Sequence, residues 1–256
     1  MRLVDAHCHL ESGLYDGCRD RVVEEAERAG LAAIITSSIT PSQWEFTLEL
    51  ARRYRIVYAS LGIHPWYIED GDLERVTGLT GAAKSGAVAI GEIGLDRKVD
   101  SPPFETQRAV FEAQLSLARE INLPVIIHCR GAFNELVESL KRLGTPESGG
   151  IVHSFSGNAE IARSLAKYNL SFSLGGILTY RNSRKRSEML KSIYPDRFLL
   201  ETDSPDIPPV EAKDTLHTPA NILYNLKAAS EILGESEEKI AQTTTHNAIR
   251  IFKLHL

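Results

Sequence analysis

The feature of this sequence that most constrains its fold is a regular alternation of two kinds of segment. Short apolar runs rich in β-branched residues recur eight times along the 256 residues, and polar stretches with helical spacing separate them. The predicted strands are residues 2–10, 31–37, 56–63, 87–95, 124–129, 150–155, 170–174 and 198–202. Strands that alternate with helices form parallel sheets, since every connection has to cross back over the sheet.

The segments between the strands show the periodicity of amphipathic helices. One helix is predicted to begin at Ser101, a good N-cap residue, with Pro102 in the first helical position. Its apolar residues at positions 110, 113, 117 and 121 fall on one face. Further helices are predicted at about residues 19–29, 43–54, 133–143, 159–168 and 218–233, and residues 236–254 add helix after the last strand.

Eight strand–helix units in 256 residues match the size of a closed barrel. An open doubly wound sheet is the alternative, but eight strands in so short a chain favour closure. No linker-like segment divides the sequence. We therefore predict one domain over residues 1–256, with an α/β fold: a (β/α)8 TIM barrel with an extra C-terminal helix.

Side chains that bind metal ions fall at the ends of the predicted strands. They are His7 and His9 in the first, His64 after the third, Glu92 in the fourth, His128 in the fifth, His153 in the sixth and Asp203 after the eighth. In a barrel the carboxyl ends of the strands meet at one mouth, where active sites lie. Because strand side chains alternate between faces, Cys8 and Cys129 are predicted to pack against the helices.

Six of these residues form a donor set that is too large for one tetrahedral zinc ion with an open position. The set is His7, His9, Glu92, His128, His153 and Asp203. Four imidazoles and two carboxylates suit two divalent ions bridged by a carboxylate, with room for water. The donors are compatible with magnesium, manganese or zinc.

Charge and cysteine content restrict the partners and the compartment. The 29 basic and 34 acidic residues give a net charge of −5, which does not suit a protein that coats nucleic acid by bulk charge. Three cysteines are typical of reduced intracellular thiols. No apolar run is long enough to span a membrane, and the start of the chain lacks a secretion signal. We expect a cytoplasmic protein with no membrane partner and no obligate protein partner, acting as a monomer.

Six short segments resemble the motifs of a known family. They read DAHCHL, GIHP, GEIGLD, PVIIHCR, VHSFSG and ETDSP, and an Asn-Ala-Ile-Arg-Ile-Phe segment follows them. In this combination and order they are similar to the TatD-type metal-dependent deoxyribonucleases of the amidohydrolase superfamily. The resemblance covers essentially the whole chain. It implies a TIM barrel, two divalent ions and hydrolysis of DNA phosphodiester bonds, often from the 3′ end.

The resemblance also implies a role for each matched residue. His7, His9 and Asp203 would hold one ion, His128 and His153 the other, and Glu92 would bridge them. His64 matches a histidine that contacts the scissile phosphate.

A mechanism follows from these roles. We predict that a hydroxide bridging the two ions at Glu92 attacks the phosphodiester, that Asp203 accepts its proton and that His64 donates to a phosphate oxygen.

Basic residues that follow strand ends are predicted to bind the DNA substrate, with single-stranded ends favoured. They are Arg97, Lys98, Arg130 and the run of Arg181, Arg184, Lys185 and Arg186, of which Arg130, Arg184 and Lys185 are the principal candidates. The alternative for the run at 181–186 is an ordinary solvated start of a helix. Trp66, Tyr67 and Tyr180 are candidates for stacking on bases, although loop packing is the alternative for Trp66.

Two other functions compete with a nuclease. A metal-dependent amide or ester hydrolase of the same superfamily would use the same activated water, but it would need a closed apolar pocket in place of cationic loops. A metal-stabilised binding or scaffold protein would need neither an open coordination position nor Asp203 and His64 beside it. Chelation would abolish the hydrolysis of an enzyme, whereas it would only lower the melting temperature of a scaffold.

Overall fold

The computed structural model describes residues 1–180 and 183–256, so Arg181 of the predicted basic run lies outside the described residues. These residues form eight parallel strands that are neighbours in chain order. The strands are β1 (Leu3–Cys8), β2 (Leu31–Ser37), β3 (Val57–Leu61), β4 (Ala87–Asp96), β5 (Val125–Arg130), β6 (Gly150–Val152), β7 (Leu170–Leu174) and β8 (Phe198–Leu200). The predicted TIM barrel is confirmed.

The barrel closes between the first and last strands just beyond the end of β8. The Asp203 amide donates to the His7 carbonyl at 3.0 Å, and the His9 amide donates to the Ser204 carbonyl at 2.8 Å. The buried Asp5 carboxylate adds a side-chain link, because it accepts a hydrogen bond of 2.9 Å from the Thr202 amide. The seam therefore places Asp203 directly beside the end of β1.

Helices follow the strands and cover the outside of the barrel. They are α1 (Arg19–Arg28), α2 (Trp44–Arg53), α3 (Asp72–Lys84), α4 (Phe104–Ile121), α5 (Phe133–Leu143), α6 (Ala159–Ala166), α7 (Arg184–Ile193), α8 (Ile222–Leu233) and α9 (Glu237–Phe252). Helix α9 is the predicted extra C-terminal helix. Within residues 1–180 and 183–256, none of the helices has both the length and the apolar character needed to cross a membrane.

The predicted start of α4 at Ser101 is wrong. The helix begins at Phe104 with Pro103 as its N-cap, and the Gln107 amide donates to the Pro103 carbonyl at 3.0 Å. The reason is that a residue before a proline is driven out of the helical backbone region. Ser101 precedes Pro102, and Pro102 precedes Pro103, so neither Ser101 nor Pro102 can lie inside the helix.

The sequence predicts no helix at α3, and it offers the segment of α7 only as a possible helix start. Helix α3 contains Gly78 and Gly81, which weaken helix propensity and interrupt the apolar pattern. Helix α7 begins at Arg184, with the Ser183 side chain accepting a hydrogen bond from the Arg186 amide. The run of three basic residues is thus the first turn of a helix.

The apolar core has two layers. The larger one joins the strands to the surrounding helices and includes Cys8 and Cys129, which confirms their packing role. The smaller one combines residues of six strands with the end of α9. Some of those strands are not adjacent in the sheet, and side chains of non-adjacent strands can contact one another only across the inside of the barrel. The last turn of α9, with Ile251 and Phe252, and Leu254 just after it close the floor of the barrel opposite the mouth.

Candidate metal centre

The residues predicted to bind metal converge on the carboxylate of Glu92, which is buried in the second half of β4. Five imidazole rings from four strand ends surround this carboxylate. The closest nitrogen–oxygen distances are 3.4 Å for His7 and His9, which face Oε2, and 3.1 Å for His64, 3.1 Å for His128 and 2.7 Å for His153, which face Oε1. The barrel thus brings together residues that lie up to 146 positions apart in the sequence.

Asp203 completes the cluster on the side of β1. Its Oδ1 lies 3.3 Å from Nε2 of His7 and 3.6 Å from Nε2 of His9. Its backbone has a φ of 58°, in the left-handed region that few residues other than glycine adopt. The hydrogen bonds across the barrel seam hold the residue in this conformation, which directs the carboxylate toward both histidines.

A glycine beside the cluster allows two strands to approach closely. A Cβ atom at Gly62, just after β3, would lie 2.6 Å from the Glu92 carbonyl oxygen and 2.9 Å from its amide nitrogen. No side chain fits in that space, so glycine is required there. The GIHP motif therefore has two roles. Gly62 allows the Glu92 backbone to approach closely, and His64 faces the Glu92 side chain.

Hydrogen bonds outside the cluster fix the histidines of β1. Nδ1 of His9 lies 2.9 Å from both Glu11 Oε1 and the Ser37 carbonyl oxygen, so it carries the hydrogen. Nε2 of His9 then faces Glu92 and Asp203, at 3.4 and 3.6 Å. Nδ1 of His7 lies 3.1 Å from the Ser37 hydroxyl. Such partners orient metal-binding histidines and set their tautomer.

Two buried nitrogen atoms in the cluster lack partners. Nε2 of His7 and Nδ1 of His153 make no hydrogen bond with any residue in the described part of the chain. A buried polar group without a partner is costly, and a bound cation is one way to satisfy it. The donor atoms also lie within 4.8 Å of one another in three combinations: His7, His153 and Asp203; His7, His9 and Glu92; and His64, Glu92 and His128. These observations fit divalent cations.

The ionisation of the cluster depends on a balance between burial and charge. Burial lowers the pKa of His7, but the negative charge of Glu92 and the close approach of the Asp203 and Glu92 carboxylates outweigh it and raise the pKa to about 10. At His153 burial prevails, and the pKa falls to about 4. Burial would raise the pKa of Glu92, but the charges of His153, His64 and His7 hold it well below its usual range. A cation entering the site must therefore displace protons from imidazole rings.

Two buried carboxylates beside the cluster received no role in the sequence analysis. Glu201 accepts a hydrogen bond of 2.7 Å from the Ser154 amide and another from the Ser173 hydroxyl. Burial and the nearby charge of Asp203 raise the pKa of Glu201 to about 8. The second is Asp96, whose Oδ2 lies 3.0 Å from Nε2 of His128.

Both residues belong to recognised motifs, ETDSP and GEIGLD. Strand alternation, which places residue 201 on the same side as Asp203, was the signal available for Glu201.

A cavity of about 630 Å³ opens above the cluster. Arg130 lines it, together with apolar side chains that include Trp66, Ile177 and Ile207. Among the described residues, Arg130 is the basic residue that does so. Arg184 and Lys185 are exposed on the first turn of α7 and do not line the cavity, and Arg184 pairs with Glu188 at 2.7 Å. Of the four predicted substrate-binding residues, the structure places His64 and Arg130 at the cavity and Arg184 and Lys185 away from it.

Comparisons with known proteins agree with this geometry. The family model described as "TatD related DNase" matches residues 4–253. The metal-dependent hydrolase YabD of Bacillus subtilis is 36% identical over 99% of this chain and 100% of its own length. Human deoxyribonuclease TATDN3 is 30% identical over 98% of this chain and 94% of its own. The crystal structure of YjjV, a TatD homologue from Escherichia coli, matches with a TM-score of 0.92 and 31% identity over 99% of this chain and 98% of that one.

The mouth of this TIM barrel gathers imidazoles around buried carboxylates, and the chain is similar to metal-dependent hydrolases over almost its whole length. The protein is therefore a metal-dependent hydrolase. Within that class, the chain belongs to the TatD family.

Proposed function

We propose that this protein is a deoxyribonuclease that uses two divalent ions, of magnesium, manganese or zinc, to hydrolyse DNA phosphodiester bonds, and that it removes nucleotides from the 3′ end of single strands. The observation that carries the proposal is the cluster of five imidazoles and two carboxylates beneath an open cavity that Arg130 lines. The deoxyribonuclease name of the human relative supports the choice of substrate. We propose that the protein acts as a monomer in the cytoplasm, as the sequence predicts.

The chain's own residues suit two ions. His7, His9 and Asp203 would hold one ion, and His128 and His153 the other. Glu92 is placed to bridge them, because its Oε2 faces the first pair of histidines and its Oε1 faces the second. Bound ions would neutralise phosphate charge and make a water molecule acidic enough to serve as the nucleophile at neutral pH.

Asp203 is proposed as the base that orients the attacking water and accepts its proton. Burial acts to raise the pKa of Asp203, but the adjacent His7 and His9 rings hold it well below its usual range. The carboxylate is therefore ionised at neutral pH, which leaves its lone pairs available to the attacking water. Its fixed backbone at the barrel seam limits how far the side chain can move during the reaction.

His64 is proposed as a hydrogen-bond donor to a phosphate oxygen. Its Nδ1 accepts a hydrogen bond of 3.1 Å from the Trp66 amide, so this nitrogen keeps its lone pair. Burial lowers the pKa of His64 and favours the neutral ring, whose single hydrogen must then be on Nε2. Nε2 faces Glu92 at 3.1 Å. An N–H group there can donate to developing negative charge but has no lone pair for a cation.

Replacing His64 with Ala is expected to lower turnover by about 10²–10³-fold, the effect of losing one donor to a developing charge. The number of ions bound per protein should stay the same, and both quantities can be measured by a nuclease assay and elemental analysis of the purified protein. Replacing the exposed His246 on α9 with Ala serves as the control and should change neither. Loss of an ion in the His64→Ala protein would show that His64 is a ligand, as its grouping with Glu92 and His128 permits.

The first turn of α7 is proposed as a second contact with the DNA backbone. Arg184 and Lys185 are exposed there, in the segment that follows β7 at the mouth end of the barrel. Positive side chains at the start of a helix oppose the helix dipole, which costs stability. Phosphate groups bound at this position would offset this loss of helix stability.

Replacing Arg184, Lys185 and Arg186 together with Ala is expected to weaken binding to a single-stranded oligonucleotide. Each lost phosphate contact should reduce the slope of log affinity against log salt by about 0.7. Fluorescence anisotropy at several salt concentrations measures this slope. The matched control replaces Arg52, Arg53 and Arg55, which are exposed where α2 leads to the start of β3 at the opposite end of the barrel. A slope unchanged from the wild type would exclude the α7 contact.

A hydrolase acting on amides or esters is the second candidate. The apolar residues of the cavity, Ile39, Ile177 and Ile207, favour it, since a small acyl substrate would pack against them. The deciding experiment assays a 3′-labelled oligonucleotide and a panel of acyl substrates with added Mg²⁺, Mn²⁺ or Zn²⁺ and again with a chelator. The proposal expects chelator-sensitive release of single nucleotides, whereas hydrolysis of acyl substrates alone would replace it.

A further inference from the structure

One oxygen atom of Asp96 connects three side chains at the mouth of the barrel. Asp96 ends β4 and is fully buried. Its Oδ2 lies 3.0 Å from Nε2 of His128 and accepts hydrogen bonds of 2.9 Å from Nε of Arg130 and 2.7 Å from the indole N–H of Trp66. Its other oxygen accepts a hydrogen bond of 2.7 Å from the Lys98 amide. Side chains from the ends of β3 and β5 thus share one carboxylate.

The position of Asp96 is itself fixed by buried contacts. Its amide donates to Gln107 Oε1 at 2.9 Å, and Nε2 of this fully buried glutamine donates to the Pro102 carbonyl at 2.9 Å. Asp96 is also paired with Arg130 in the register of β4 and β5. The carboxylate is therefore a rigid support for the groups that bind to it.

For His128, the contact with Asp96 determines which ring nitrogen faces the metal centre. Nε2 is directed at Asp96, and Nδ1 is turned toward Glu92 at 3.1 Å. A carboxylate that accepts the hydrogen of Nε2 leaves the lone pair on Nδ1. His128 is then ready to bind a cation through Nδ1 without turning its ring.

For Arg130, the contact with Asp96 fixes the base of the guanidinium group and leaves its outer edge free. The side chain is 46% exposed, and its carbon Cζ lies 5.1 Å from the centre of the Trp66 ring. Within residues 1–180 and 183–256, the two terminal amino groups make no hydrogen bond. A planar group with two free amino groups suits two oxygens of one phosphate. Trp66 therefore contacts Arg130 through its ring and contacts the supporting Asp96 through its N–H group.

We propose that Asp96 is a positioning residue that holds the metal ligand His128 and the phosphate-binding Arg130 on a single oxygen atom. The spacing between a phosphate group bound by Arg130 and the ligand His128 is thereby set by Asp96. The phosphate half of the proposal rests on the proposed nuclease function, whereas the half that concerns His128 does not.

The test compares Asp96→Asn, Arg130→Gln and the double variant in two measurements. Titration of the metal-free protein with Mn²⁺ should show about 10–100-fold weaker binding at one site in Asp96→Asn, the effect of losing an outer partner of a ligand. Arg130→Gln should bind Mn²⁺ as the wild type does. With a short single-stranded oligonucleotide, and with enough Mn²⁺ to fill both sites in every variant, both single variants should raise KM by roughly tenfold, as expected when a charged hydrogen bond is lost. The double variant should raise KM no further than Arg130→Gln alone, because Asp96 acts on KM through Arg130.

Two further variants separate positioning from a general loss of stability. Asp72→Asn replaces another buried carboxylate that is paired with an arginine, at 2.8 Å from Arg75, and should leave Mn²⁺ affinity and KM unchanged even if the protein melts earlier. Trp66→Phe keeps a ring beside Arg130 but removes the N–H group, and should raise KM without changing Mn²⁺ affinity.

Wild-type Mn²⁺ affinity in a folded Asp96→Asn protein would overturn the half of the proposal that concerns His128. Additive effects on KM in the double variant would overturn the half that concerns Arg130. A wild-type protein that neither binds nor cleaves the oligonucleotide would overturn the proposed function and the phosphate half together. The Mn²⁺ titration would still decide the role of Asp96 toward His128.

Discussion

Replacing Glu92 with Gln is expected to weaken divalent-ion binding by more than about a hundredfold and to abolish hydrolysis. The five imidazoles lie 2.7–3.4 Å from this one carboxylate, so the substitution removes the negative charge on which the whole cluster depends. The loss should exceed the 10–100-fold effect of removing an outer partner of a ligand, since Glu92 is proposed to touch both ions. Calorimetric titration with Mn²⁺ and a nuclease assay provide the two measurements.

The pH dependence of stability offers an independent measurement on the metal-free Glu92→Gln protein. In the wild type the pKa of His7 is raised from 6.5 to about 10, so this group contributes stability in full below pH 6.5 and loses it as the pH rises toward 10. Without the Glu92 charge the decline should be smaller. Glu112→Gln, which alters a carboxylate bound to Ser139 and Arg142 outside the site, should behave as the wild type does. Tight binding of two ions by Glu92→Gln would contradict the bridging role.

Replacing Asp203 with Asn is expected to lower turnover by about 10²–10⁴-fold, the usual contribution of a positioned base. The amide keeps the size of the side chain and one oxygen directed at His7 and His9, but it cannot accept a proton at neutral pH. Single-turnover cleavage of a labelled oligonucleotide isolates the chemical step from binding. The fall should appear in this rate, while KM for the oligonucleotide changes little.

The number of bound ions decides how the Asp203→Asn result is interpreted. Elemental analysis has to accompany the rate, because Asp203 is proposed to hold one ion as well as to accept the proton. A rate near that of the wild type with both ions bound would contradict the role of Asp203 as the base. Asp20→Asn, at an exposed carboxylate paired with Arg53, should alter neither quantity.

The barrel could be predicted from the sequence because mostly apolar strand segments alternate regularly with segments of helical period. Two predicted strands, at residues 31–37 and 170–174, have the same bounds in the structure. The strands at 150–155 and 198–202 end earlier than predicted, since the chain leaves the sheet to place His153 and Asp203 in the cluster. Helix α3 could not be predicted because two glycines interrupt its pattern, and its packing against the barrel stabilises it instead.

The centre of the site was predictable because one rule, that the carboxyl ends of the strands meet, applies to every residue in it. That rule placed His7, His9, Glu92, His128 and Asp203 together without any knowledge of distances. It could not show that Asp96 binds His128 and Arg130, since this depends on the register between two strands. The rule also could not show that Lys185, on α7, lies away from the cavity.

The last turns of α9 have a consequence for the synthesis of the protein. Ile251, Phe252 and Leu254 close the floor of the barrel, and Tyr58 in β3 donates a hydrogen bond of 3.0 Å to the carbonyl of His255. A nascent chain can pair its first seven strands while it is still being translated, but water reaches the interior until these residues have emerged from the ribosome. Folding during translation therefore cannot be completed before that moment, and until then the open barrel exposes apolar surface that favours aggregation.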